Sequence, residues 1–256
     1  MTDRPAPYDA VVFDLGGVLA RPADPIEPLA RLLGPDTVDV KALTEVYWAH
    51  RDAYDLGCPE AEYWGAVATG AGVAPVDGTA AALARADARE WTVLAADSLL
   101  LLEDLRRHGL RLGLLSNAPL ALAETAEQCA WSGLFQKLVF SAREGLAKPQ
   151  AAAYERATEL LGVPPARIIF FDDRPENVKA ARRHGWDGHV WTGVTAAREV
   201  LAERRLLPRQ RPAGRAAPDG AGTVGRLRCE DLPDRADRAD RADRAAPTPN
   251  ASRALE

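Results

Sequence analysis

The chain has 256 residues, long enough for one large domain, or for one domain carrying an insertion, with a sizeable buried core. Its 47% hydrophobic and 27% charged content is that of a soluble globular protein, and a net charge of -5 supplies no electrostatic reason to bind nucleic acid. Three cysteines, Cys58, Cys129 and Cys229, are too few and too far apart for a disulfide framework or a zinc site; with no basic-then-apolar leader and no apolar run of membrane-spanning length, a cytoplasmic protein that engages no membrane is expected.

The first predicted strand is Val11-Val12-Phe13-Asp14, followed by Leu15-Gly16-Gly17-Val18-Leu19. An apolar run without alternation suits a strand buried on both faces of a parallel sheet, and ligands of such sheets gather at the strands' carboxyl ends. Asp14 would stand at that rim, with Gly16 and Gly17 permitting a sharp turn whose amides face a ligand. Asp and Gly are also ordinary turn residues, so this stretch alone leaves both readings open.

Helical periodicity then runs with short breaks from near Pro25 to about Trp91, too long for one crossover, and reads as a separate helical cap over residues 21–94. Its aromatic residues Tyr47, Trp48, Tyr54, Tyr63 and Trp64 are expected to pack its core. Arg51, Tyr54 and Asp55 precede the Gly57 turn, and Arg51 and Tyr54 are the cap's candidates for substrate contact.

A helix from about Ala96 to His108 leads into the strand Leu110–Leu115, which ends in Ser116-Asn117. That pair suits either an anion or the N-cap of the helix after Pro119. A third strand, Gln136 to Ser141, precedes Lys148-Pro149 and a helix from Gln150 to Leu161. A lysine at a helix start opposes the helix dipole, so a nearby anion would give it a reason to be there, although a lone lysine is ordinarily a solvated surface group.

The fourth strand, Arg167 to Phe171, delivers Asp172-Asp173 to its end. Adjacent carboxylates are more comfortable beside a divalent cation than alone, but they also suit the cap of the helix after Pro175. That helix runs to about His184, Gly188 to Trp191 forms a fifth strand, and a last helix spans Thr195 to Leu207. Alternation of strand and helix with right-handed crossovers predicts an α/β fold: a Rossmann-like parallel sheet with helices on both faces, formed by 1–20 and 95–207, with the helical cap inserted. Residues 208–256 lack apolar periodicity and read as a disordered, low-complexity tail containing an Asp-Arg-Ala repeat. No sequence feature specifies an oligomeric state.

Four polar features thus fall at strand ends of one sheet, in the order Asp, Ser-Asn, Lys, Asp-Asp. With Phe-Asp-Leu-Gly-Gly-Val-Leu, Leu-Leu-Ser-Asn, Ala-Lys-Pro and Phe-Phe-Asp-Asp-Arg-Pro-Glu-Asn-Val, the chain closely resembles the haloacid dehalogenase-like hydrolase superfamily from Tyr8 to Leu207. It looks most like the branch with a helical cap after the first strand, which includes sugar-phosphate phosphatases. The resemblance implies that Asp14 is the nucleophile forming an aspartyl-phosphate, and that Asp14, the Gly16 carbonyl and Asp173 hold Mg²⁺ with Asp172 in support. It further implies that Ser116 and the Asn117 amide hold phosphoryl oxygens while Lys148 pairs with phosphate and Asp14. The expected activity is hydrolysis of a small phosphorylated metabolite, with a sugar phosphate among the candidates.

One position departs from the common pattern of these phosphatases: Gly16 stands where many carry a second Asp acting as acid and base, a contribution of about 10²–10⁴-fold. A cap residue such as His50, Arg51 or Asp55 could enter the site instead. Two alternatives follow, a catalytically weak or silent binding protein on the same fold, and a 2-haloacid dehalogenase. The dehalogenase needs an electropositive halide pocket, against which the paired carboxylates argue.

Overall fold

The computed structural model describes residues 8–34, 38–74 and 78–209, and the backbone of 226–227. In chain order, strand β1 (Ala10–Phe13) is followed by helices α1 (Glu27–Leu33), α2 (Val40–Ala49), α3 (Arg51–Asp55), α4 (Glu60–Gly70) and α5 (Thr79–Trp91). Then come β2 (Leu94–Ala95), α6 (Ala96–Arg107), β3 (Arg111–Ser116), α7 (Leu120–Gln128), β4 (Lys137–Phe140), α8 (Ser141–Glu144) and α9 (Ala151–Leu161). The remainder is β5 (Ile168–Asp172), α10 (Pro175–His184), β6 (Asp187–Val190), α11 (Val194–Glu203) and β7 (Arg226–Leu227).

Five strands form one sheet in the order β4-β3-β1-β5-β6, every neighbouring pair parallel. The uninterrupted apolar character of β1 has a direct cause: it is central, and both of its faces are covered. Val11 and Phe13 join a core with Leu102 and Leu105 of α6 and Leu201 of α11. Ala10 and Val12 face the opposite core, built on Tyr154 and Leu161 of α9 and Ala181 of α10. The chain leaves β1 for β3 and β4 on one side, then returns to β5 and β6 on the other. Connections therefore diverge above the carboxyl end of β1, which opens the crevice where α/β sheets place their ligands.

Helices α1 to α5 enclose an apolar cluster of their own, including Leu29, Leu43, Tyr47, Tyr54, Tyr63, Trp64 and Leu83. Tyr54 stacks on Tyr63 with ring centroids 4.0 Å apart, and Trp64 meets Tyr63 edge-on at 4.8 Å. Complete burial of such a ring is worth about 1.5–3 kcal/mol, so these rings are a main source of the cluster's cohesion, and Ala121 of α7 packs against the same cluster. Trp48 corrects the expectation that all five cap aromatics are core residues: its side of α2 faces outward, it is 50% exposed, and it leans on Trp91 edge-to-face at 6.2 Å.

The cap is tied to the strand ends at the end of α3. The Ser141 hydroxyl donates to the Asp55 main-chain carbonyl and accepts from the Ala118 N–H at 2.8 Å. One side chain at the end of β4 thus joins the cap to the loop after β3.

Apart from Arg226–Leu227, the tail expected to be disordered, with its Asp-Arg-Ala repeat, lies outside the described residues beyond Arg209. Arg226 and Leu227 correct that expectation locally, because they pair antiparallel with Ala95 and Leu94. Adding a strand to an edge uses main-chain groups, which composition does not report. Cys58 is free and Cys129 is disulfide-bonded. Cys229 lies outside the described residues. Among the described residues no helix is long and apolar enough to cross a membrane.

Candidate active site

Asp14 follows β1 directly, and its N–H still donates to Phe171 of β5 at 2.9 Å, so the carboxylate emerges at the rim of the sheet. The chain then turns within a few residues: the Leu15 carbonyl accepts from the N–H groups of Val18, Leu19 and Ala20. Gly17 is at φ 76, and a Cβ there would collide with the Asp173 carboxylate. A side chain at this position would therefore be strained and would also displace Asp173.

Lys148 is buried, and its Nζ lies 2.9 Å from Asp14 Oδ1 and 2.6 Å from Asp172 Oδ2. Burial pulls its ammonium pKa down, but the two carboxylates outweigh that and hold it above the ordinary lysine value. Its backbone is clamped by Asn117, whose Nδ2 donates to the Lys148 carbonyl at 2.9 Å while its Oδ1 accepts from the Lys148 N–H at 2.8 Å. The Asn117 side chain thus positions the lysine, leaving Ser116, buried at the end of β3, as the neighbouring hydroxyl in the cavity wall.

Asp172 is fully buried and saturated. Its Oδ1 accepts from the Arg174 N–H at 2.9 Å and from Asn177 Nδ2 at 3.0 Å, while its Oδ2 accepts from Lys148 and from Asn177 Nδ2 at 3.1 Å. Asp173, the next residue, is exposed to the cavity. Carboxylate oxygens of Asp14, Asp172 and Asp173 lie within 4.8 Å of one another. Burial raises the Asp14 carboxyl above the ordinary carboxylate range and the Asp172 charge adds to this, against the pull of Lys148. Asp173 is raised for the same reasons, burial first and then the Asp172 charge.

The three carboxylates outnumber Lys148, and Arg174 on the cavity wall is paired with Glu176, so a surplus of negative charge is left that a bound divalent cation would neutralise. All the donors are hard oxygens, as Mg²⁺ prefers. Asn177 adds to this fit: its Oδ1 is buried without a hydrogen-bond partner, and the residue lines the cavity. Sequence reasoning gave Asn177 no role. Its signal was an amide on the buried side of α10, beside Val178 and Ala181, where an apolar residue would be ordinary.

The cap lines one side of an open cavity, whose volume is about 230 Å³, with Trp48, Arg51, Asp55 and Trp91; Asp14, Gly16, Ser116, Lys148 and Asp173 line the other. The Trp91 ring lies over Gly16, where a Cβ would stand 3.3 Å from it. Arg51 is buried; its Nε donates to Asp55 Oδ1 at 2.7 Å, and its Nη1 reaches both Asp87 Oδ2 at 3.1 Å and the Tyr47 hydroxyl. Tyr47 donates in turn to Asp87 Oδ1 at 2.7 Å and accepts from Trp91 Nε1 at 3.0 Å. Asp87 was not legible as part of this set, because an acid among alanines and arginines in a helix reads as a solvated group. Burial raises the Asp55 carboxyl to about 6, against the opposing pull of Arg51.

The structure therefore brings together Asp14, Gly16, Ser116, Asn117, Lys148, Asp173 and Arg51 around one cavity, with Asp172 directly behind. It does not bring Tyr54, which is buried against Tyr63 and accepts from Trp64 Nε1 at 3.1 Å, so its hydroxyl is committed inside the cap. His50 is exposed at the end of α2 and is not part of the lining.

A sequence profile described as a haloacid dehalogenase-like hydrolase matches residues 8–185. The chain is 37% identical over 91 residues to "Phosphatase MT3486" of Mycobacterium tuberculosis (strain CDC 1551 / Oshkosh), a stretch that covers 35% of this chain and 42% of that protein. Among solved structures it is similar to the HAD family enzyme bt-2542 of Bacteroides thetaiotaomicron in complex with magnesium and inorganic phosphate, at a TM-score of 0.53 and 20% identity, covering 72% of this chain and 93% of the other. It is also similar to L-2-haloacid dehalogenase of Xanthobacter autotrophicus with chloropropionic acid covalently bound, at a TM-score of 0.56 and 21% identity, covering 78% and 85% of the two chains. Those two likenesses concern the fold. With the matched profile spanning most of the sheet and all of the cap, and the strand-end residues gathered around one cavity, the chain belongs to the haloacid dehalogenase-like hydrolases.

Proposed function

We propose that this hydrolase is a Mg²⁺-dependent phosphomonoesterase acting on a small phosphorylated metabolite through an aspartyl-phosphate on Asp14. The observation that carries the reading is the buried Asp14–Lys148–Asp172 cluster with Asp173 beside it, at the floor of a cavity roofed by the cap. Such a site has a surplus of carboxylates, which suits a bound cation and a phosphate dianion and opposes the expulsion of a halide ion into the same pocket. The similarity to a protein named as a phosphatase supports the same choice.

Asp14 Oδ1 is engaged by Lys148 and by the Leu15 N–H at 2.7 Å, so the carboxylate is held in one orientation with its second oxygen available for attack on phosphorus. Lys148, fixed by Asn117, offsets the approach of two anions. Ser116 and the Asn117 amide would hold phosphoryl oxygens. Asp14, the Gly16 carbonyl and Asp173 would hold Mg²⁺, which supplies charge neutralisation and polarises the phosphoryl group when bound. Asp172 keeps Lys148 and the first turn of α10 in place. The cap over 21–94, on a core of 1–20 and 95–207, stands over one side of the cavity and supplies Arg51 for substrate contact.

Phosphate release from p-nitrophenyl, alkyl and sugar phosphates, each assayed with Mg²⁺ and with a chelator, tests this reading. Metal-dependent release from at least one ester is expected. Release from none favours the silent binding protein, and halide release from a 2-haloacid in the presence of chelator favours the dehalogenase; either result overturns the proposal.

A further inference from the structure

The alkoxide of an ordinary alkyl phosphate is a poor leaving group, and its departing oxygen needs a proton. The floor of the cavity cannot readily give one. Asp14 is the attacking group, Asp173 belongs to the cation cluster, and Lys148 is held charged between two carboxylates. Gly16 has no side chain, and the space above it is filled by the Trp91 ring. Of the remaining lining residues, Arg51 and Arg174 do not deprotonate, and Ser116, Asn117, Asn177 and the two tryptophans do not titrate near neutrality. That leaves one carboxyl group on the cap side of the cavity.

We propose that Asp55 is the catalytic acid and base of this site, giving a proton to the departing oxygen and taking one from the attacking water. This rests on the phosphomonoesterase reading above. In the first half-reaction the bond from Asp14 to phosphorus forms, the ester P–O bond breaks, and the Asp55 carboxyl proton passes to the departing oxygen, releasing an alcohol. In the second, the Asp55 carboxylate takes a proton from water, whose oxygen bonds to phosphorus as the bond to Asp14 breaks. Phosphate leaves, and both carboxyl groups return to their starting states.

Two features of the surroundings suit this role. Asp55 is held from both ends: its carbonyl accepts from Ser141 at the strand ends, and its Oδ1 accepts from Arg51 Nε at 2.7 Å, while its Oδ2 makes no hydrogen bond among the described residues. Arg51 is also shared. The same guanidinium serves Asp87, which is buried and takes the Tyr47 hydroxyl as well, so one positive charge faces two acids, with Asp52 a further negative neighbour on α3. Asp55 is thus only partly compensated as an anion, and burial brings its carboxyl to about 6, within reach of both protonation states near neutrality.

The test separates the two half-reactions by leaving group. p-Nitrophenolate departs without a proton, so Asp55→Asn is expected to keep a rapid burst of one p-nitrophenolate per chain and then to accumulate phosphorylated Asp14, with steady-state turnover down by about 10²–10⁴-fold. With an alkyl or sugar phosphate, phosphorylation of Asp14 itself should fall by about 10²–10⁴-fold, and no burst should appear. Asp55→Glu, which keeps a carboxyl, should recover part of both losses. Equal slowing of phosphorylation by both kinds of ester, in either variant, would mean that Asp55 only positions the cap and would overturn the inference alone; so would full activity of Asp55→Asn on alkyl esters. Failure of the unsubstituted chain to become phosphorylated by any ester would overturn the phosphomonoesterase reading and this inference with it.

Discussion

Asp14→Asn is expected to lower phosphate release by on the order of 10⁴–10⁶-fold, the scale of losing a covalent nucleophile, while leaving the fold intact. The amide has nearly the shape of the carboxylate and can still accept from the Leu15 N–H, so the turn after β1 keeps its hydrogen bond. Lys148 keeps its second partner, Asp172, at 2.6 Å and is not left as an unpaired buried charge. What disappears is the anionic oxygen that would bond to phosphorus. Steady-state turnover of the ester that the unsubstituted chain hydrolyses fastest, compared at saturating Mg²⁺, measures the loss. Retained activity would remove Asp14 from the chemistry.

Lys148→Met is expected to cost about 3–5 kcal/mol of stability as well as activity, because it strips the only cation from between two buried carboxylates. The asymmetry with Asp14→Asn is instructive. Removing one of two anions leaves the lysine paired, whereas removing the lysine leaves Asp14 and Asp172 facing each other in a place where each is already desolvated. Asp172 has no alternative, since Asn177 and the Arg174 N–H saturate its other acceptor positions. Denaturant unfolding of the two variants in parallel checks the difference. A Lys148→Met chain as stable as the unsubstituted one would mean that the cluster is not buried as described. Adding Asp172→Asn to Lys148→Met should restore part of the stability without restoring turnover.

The sheet was legible in the sequence because its physics is local. The part of a strand covered on both faces must be apolar, and β1, Leu112–Leu115 of β3 and Ile168–Phe171 of β5 are; the polar residue that ends each run marks the rim. Lys148 taken alone had no such signal. Its meaning comes from Asp14 and Asp172, distant in sequence, and only the order of four strand ends linked them. The cap was legible as helices and not as a surface: periodicity grouped Tyr47, Trp48 and Tyr54, but which ring enters the cavity depends on how α2 and α3 sit on α5. Thus Tyr54 stacks inside, Trp48 is half exposed on the cavity wall, and Trp91, at the end of α5, covers Gly16.

The buried pairs on the cap side were the least legible part. Arg51 and Asp87 meet across two helices at 3.1 Å, and each in its own segment looks like a solvated charge. Asn177 lay within a motif that sequence reading had already singled out, yet its work, donating to both oxygens of Asp172, depends on the turn that Pro175 starts. These residues share a pattern: polar side chains that serve other polar side chains rather than a strand or a helix leave no periodic trace.

The central claim is a covalent phosphoryl group on Asp14. The most direct measurement is the mass spectrum of the chain quenched in acid during turnover of a phosphate ester with Mg²⁺, followed by peptide mapping. The account predicts one added phosphoryl group per chain, carried by the peptide that contains Asp14 and absent from the Asp14→Asn chain. Turnover with no phosphorylated chain at any time after mixing, or a phosphoryl group on another residue, would contradict it.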